Sequence, residues 1–84
     1  MKLNFYLKPI ATEKAVMKIE LENTLAFQTG VEISKDQIKE EVEKVFGVKV
    51  EKIRTIIRDN KKNIYVKLKK SFPAIDVATK LGLI

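Results

Sequence analysis

The residues of this chain best able to do chemistry are cations. Lys52, Arg54, Arg58, Lys61, Lys62, Lys67, Lys69 and Lys70 fall within one short stretch and are opposed there only by Asp59. That stretch, KIRTIIRDNKKNIYVKLKK, carries +7 and the remaining residues sum to −1, which makes the formal net charge of +6. Lysine and arginine neutralise phosphates and release condensed counterions, and this supplies much of the affinity for nucleic acid. Arg54 and Arg58 could grip phosphates bidentately, whereas Lys67 and Lys69 act as point charges. Lys8, Lys14 and Lys18 could form a second patch around the first predicted helix, or be ordinary solvated lysines.

Other chemistries find little to use. The 84 residues include no Cys and no His, so disulfides and the usual soft or borderline metal ligands are missing. Glu40, Glu41 and Glu43 crowd together, but adjacent positions do not share a helix face and lysines lie among them. They read as a solvated face, not as a metal site or an acid–base pair. There is no Gly-rich phosphate loop and no Ser/His/Asp set, so neither an enzyme nor a cofactor is expected. Tyr65 reads as a packing residue before a base-stacking one. The glycine-aromatic strand signature of the RNA-recognition motif is missing as well. No apolar run approaches the roughly 18 residues that span a bilayer. The N-terminus, MKLNFYLKPIATEK, is broken by charge and by Pro9 and does not resemble a secretory signal. A reducing, cytosolic setting fits.

A hairpin is what positions the cations. Apolar and polar residues alternate on both sides of an Asp59 to Asn63 turn, and successive strand residues point to opposite faces. Ile64, Val66 and Leu68 then point into a core, leaving Tyr65, Lys67 and Lys69 outside. On the preceding strand the apolar residues switch parity between Val50 and Ile53, which predicts a β-bulge near Glu51-Lys52. Beyond it, Ile53, Thr55 and Ile57 are expected inward, with Lys52, Arg54 and Arg58 on the outer face. The return strand is expected from about Lys62 to Lys70.

The remaining elements supply the layer behind that hairpin. Residues 3 to 8 are a candidate strand ended by Pro9, with Phe5 and Tyr6 in the core. Thr12 can cap a short helix from Glu13 to about Leu21, Glu22-Asn23 looks like a turn, and Thr24 to Thr29 is a strand interrupted by Gly30. Ser34 and Gln37 make a capping box. Ile38, Val42, Val45 and Phe46 form one apolar stripe, and Gly47 can take the left-handed conformation that ends the helix. Pro73 suits the first turn of a closing helix with Ala74, Val77, Ala78 and Leu81 inward. The order is β-α-β-α-β-β-α. It predicts an α+β fold, a two- to three-layer sandwich on a four-stranded, mainly antiparallel sheet like a ferredoxin-like plait. Residues 1–84 form one expected domain.

Several stretches taken together resemble a known family. The runs YLKPIATEKA, NTLAFQ, SKDQIKEEVEKVFGVKVEKIRT and IYVKLKKSFPAIDVATKLGLI are similar, in order and spacing, to the universal large-subunit ribosomal protein L23 family. Lys62, Tyr65, Val66, Lys67 and Leu68 match the family's C-terminal pattern, while Asn63 stands at its second basic position and Ile64 at its small residue. The resemblance implies a structural constituent of the cytoplasmic large ribosomal subunit. Such a protein binds large-subunit ribosomal RNA and helps form the docking platform at the nascent-peptide tunnel exit. Implied partners are ribosomal protein L29, the signal recognition particle and other tunnel-exit factors, with no membrane insertion. Thr12-Glu13-Lys14 matches the family's Thr/Ser-Glu-Lys motif, which makes Glu13 the candidate for factor docking. The short hairpin turn resembles the compact archaeal type, not the long tunnel-reaching loop of many bacterial members. A different reading is a stand-alone protein-interaction domain whose basic face is merely solvated.

Overall fold

Ser34 starts the longest helix of the fold. Its side chain accepts from the backbone N–H of Gln37 and the Gln37 side chain accepts from the backbone N–H of Ser34, closing the expected capping box. The computed structural model describes residues 8–30 and 33–82. In it this helix, α2, spans Lys35–Phe46 and ends at Gly47 with φ of 65°. Helix α1 spans Glu13–Glu22, with Thr12 accepting from the Ala15 N–H at 3.2 Å. Helix α3 spans Ala74–Lys80, and Pro73 is its N-cap rather than part of its first turn. Proline offers no side-chain cap, so the first N–H of α3 is satisfied from elsewhere: Asn23 Oδ1 accepts from Ala74 N–H at 2.6 Å.

The strands are β1 (Lys8–Pro9), β2 (Thr24–Gly30), β3 (Val50–Arg58) and β4 (Lys61–Leu68). They form one antiparallel sheet in the order β1-β2-β4-β3. Layering and element order agree with the α+β expectation. The strand order is the fold's own, because β1 and β2 are immediate neighbours and no strand is inserted between them. Pro9 lies within β1 and pairs with Phe27, a position open to proline because β1 is the edge strand of the sheet among the described residues. The rest of the expected first strand, with Phe5 and Tyr6, lies outside the described residues.

The β3–β4 hairpin differs from expectation in length. Its turn is only Asp59-Asn60, with φ of 53° and 61°. Two consecutive left-handed residues make the tight turn whose twist matches that of the flanking strands, and Asp and Asn tolerate the conformation. The strand therefore resumes at Lys61 and closes at Leu68, not Lys70. The predicted bulge is present as a register shift between Val50 and Lys52.

One face of the sheet carries the core. Leu25 and Phe27 of β2 and Ile64, Val66 and Leu68 of β4 meet Ile38, Val42 and Phe46 of α2. Ala74, Val77 and Ala78 of α3, Ile19 of α1, Val48 and Val50 complete it. Each large buried aliphatic or aromatic stabilises the fold by roughly 2 kcal/mol. The inward row of β3 fades along its length: Ile53 and Thr55 are half-buried and Ile57 is 63% exposed, because the hairpin runs past the helices that would cover it.

Candidate nucleic-acid interface

Cross-strand register decides which cations share a plane. Partners in an antiparallel pair project to the same side, so Lys52 lies beside Lys67, Arg54 beside Tyr65, Ile56 beside Asn63 and Arg58 beside Lys61. On the other flank of β4, Thr24, Ala26, Gln28 and Gly30 pair with Lys67, Tyr65, Asn63 and Lys61, and Lys8 of β1 pairs with Gln28. The face away from the core thus bears Lys8, Lys52, Arg54, Arg58, Lys61 and Lys67. Gln28 Nε2 donates to Asn63 Oδ1 at 3.2 Å, bracing the middle of this face.

Helix α1 contributes to both sides of the sheet. Ile19 joins the core, while Lys14, Lys18 and Glu22 wall a groove of about 430 Å³ over the outer face. The groove is also lined by Thr24, Lys52, Arg54, Ile56, Tyr65 and Lys67. Lys18 Nζ stands 5.5 Å from the Tyr65 ring centroid and 3.4 Å from Glu22 Oε2. Lys67 Nζ lies 3.6 Å from Glu51 Oε2. Both ion pairs are solvent-accessible, so each contributes at most about 1 kcal/mol. A shallower hollow of about 270 Å³ at the far end is lined by Lys8, Gln28, Thr29, Gly30 and Lys61.

Two cross-strand neighbours on this face are like-charged, Lys52 with Lys67 and Arg58 with Lys61. Directly opposed like charges destabilise a sheet, and Glu51 offsets only the first of these pairs. Such an arrangement is favourable when an anion lies across both.

Besides Lys14 and Lys18 on α1, three of the sequence-predicted cations fall outside this plane. Lys62 has the parity of Ile64, so it points to the core side, where it is buried to 9% exposure and donates to the Ile33 carbonyl. Lys69 and Lys70 follow the end of β4 in the turn before α3, both exposed, and the Lys69 N–H donates to the Lys49 carbonyl. They sit at the opposite end of β4 from Lys61. Glu13 is exposed in the first turn of α1, where the helix dipole favours a carboxylate.

Other residues matter more than the sequence suggested. Asn23, expected only to turn the chain, donates from Nδ2 to the carbonyls of Leu68, Lys69 and Phe72. The acidic run of α2 is not a uniformly solvated face: Glu41 is buried, and Glu43 Oε2 accepts from the Val50 N–H at 2.8 Å, pinning the start of β3. Ile56 was unassigned, although its parity with Arg54 placed it on the outer face. No cluster of three or more possible metal-ligating side chains occurs among the described residues. No helix among them is long and apolar enough to cross a membrane.

The family profile described as ribosomal protein L23 matches residues 4–77, which takes in every strand, α1, α2 and the first half of α3. The chain therefore belongs to the ribosomal protein L23 family, structural and non-enzymatic proteins of the large ribosomal subunit in the cytoplasm that associate with ribosomal RNA and other ribosomal proteins.

Proposed function

We propose that this protein acts as a single domain that binds large-subunit ribosomal RNA through the outer face of its sheet. The observation that carries the reading is the gathering of Lys8, Lys52, Arg54, Arg58, Lys61 and Lys67 on one plane, with Lys14 and Lys18 added from α1. Structured RNA is recognised largely through shape, phosphates and 2′-hydroxyls, for which a rigid cationic surface is suited. Lys69 and Lys70 extend the contact past the end of β4, and Lys62 is assigned to structure instead.

The same reading includes a place in the docking platform at the nascent-peptide tunnel exit. Its support is α1: Glu13 is exposed at the helix start, and Met17 and Leu21, one turn apart, are 50% and 75% exposed. An apolar pair beside a carboxylate suits a protein partner such as ribosomal protein L29, the signal recognition particle or another exit factor.

Affinity for the matching ribosomal RNA fragment, measured against salt, tests the RNA half. Neutralising Lys52 or Arg54 is expected to lower the salt slope by roughly one each. Equal affinity for an unrelated RNA hairpin would remove the specific claim. Reversing charge at Arg54 and Lys67 is expected to abolish sedimentation with large subunits while the fold persists; unchanged sedimentation would favour a stand-alone interaction domain with a solvated basic face.

A further inference from the structure

The groove beside α1 has a floor that a purely phosphate-binding surface does not need. Ile56 lies on the outer side of β3, 41% exposed, and shares that floor with Tyr65. Cations stand on both walls, with Lys14 and Lys18 on the helix and Lys52, Arg54 and Lys67 on the strands. Single exposed aliphatics need no explanation by themselves. An aliphatic lining a groove with five cations and one carboxylate, Glu22, is a different matter, because it matches a ligand that is anionic along one side and apolar along the other. A nucleotide strand has that pattern, with charged phosphates along the chain and flat bases beside it. In a paired helix the bases are stacked inside and unavailable to such a floor, whereas in loops and bulges they can be splayed out.

Granted the RNA-binding reading above, we infer that this groove takes an unpaired RNA segment, with a base against Ile56 and its phosphates between the α1 lysines and Arg54. Lys18 already stands over the Tyr65 ring, so contact with the base falls first to Ile56, and Tyr65 and Lys18 brace the floor.

The test uses the full chain with carbon-13-labelled isoleucine methyl groups, titrated with single-stranded oligoadenylate and with an adenylate–uridylate duplex of equal length. The single strand is expected to move the Ile56 methyl resonance by ring current, and the duplex is expected to leave it in place. Ile56→Ser, a change on a solvent-facing position, is expected to weaken single-strand binding about tenfold through loss of its apolar contact area without altering its salt slope. Arg54→Gln is expected to lower that slope by roughly one. Equal affinity for both probes with a stationary Ile56 resonance, while Arg54→Gln still lowers the slope, overturns the groove inference and leaves the basic face standing. An unchanged slope in both Arg54→Gln and Lys52→Gln overturns the RNA reading itself. Displacement of oligoadenylate by polyglutamate, with the same shift at Ile56, overturns the inference in favour of an acidic protein partner.

Discussion

At Asn23 a single carboxamide joins the end of α1 to the β4–α3 connection. Its two Nδ2 hydrogens serve three carbonyls and its oxygen caps α3, while its own backbone takes φ of 53°. Asn23→Ala leaves the Ala74 N–H without its acceptor and is expected to lower unfolding free energy by about 3 kcal/mol, read by urea denaturation. Asn23→Asp keeps that acceptor but turns an oxygen toward three carbonyl oxygens, so it is expected to cost at least as much. A second contrast separates neighbouring lysines. Lys62→Met removes the donor to Ile33 and is expected to cost about 1–3 kcal/mol with the RNA salt slope unchanged. Lys61→Met is expected to lower the slope by about one and leave the fold alone. Charge alone groups Lys62 with Lys61, whereas its even spacing from Ile64 places it on the core side. The Asn23 contacts were not legible, since their partners lie 45 to 51 residues away and local pattern says nothing of them.

Among the elements, the start, the stop and the core-facing stripe of α2 were legible because their determinants are local. The capping pair, the apolar stripe and the glycine stop all lie within one short segment. Ser34→Ala is expected to cost about 1 kcal/mol. Gly47→Ala meets no atom within 4 Å, so its cost is purely that of the left-handed backbone, about 1–2 kcal/mol. Both are checked by shifts in the denaturation midpoint. The bulge was equally readable, as hydrophobic parity switches across it. The hairpin turn was read too long because Asn63 and the two lysines before it look like loop residues by composition. Cross-strand bonding from Gly30 and Arg58 to Lys61 overrides that composition and draws it into the ladder.

For the molecule as a whole, charge balance links stability to function. The outer face keeps Lys52 opposite Lys67 and Arg58 opposite Lys61, an arrangement unfavourable without a counter-anion. Raising salt from low to physiological strength screens these solvent-exposed pairs, so the thermal midpoint of the free protein is expected to rise over the same range in which RNA affinity falls. A midpoint that drops with added salt would show that the attractive pairs, Lys18 with Glu22 and Lys67 with Glu51, outweigh the repulsive ones. The existence of a basic face could be seen in the sequence. Its groove could not, because α1 comes to wall it only through packing against β2 and α3.

The two-residue turn at Asp59-Asn60 leaves the hairpin no slack. Lys52, Arg54 and Arg58 are therefore carried on a stiff backbone whose same-side positions recur at roughly 6.6 Å, and a polyanion meets charges already set at that pitch. Little ordering of the protein main chain remains to be done on contact, so discrimination between RNAs falls to those whose own shape presents phosphates at a matching interval.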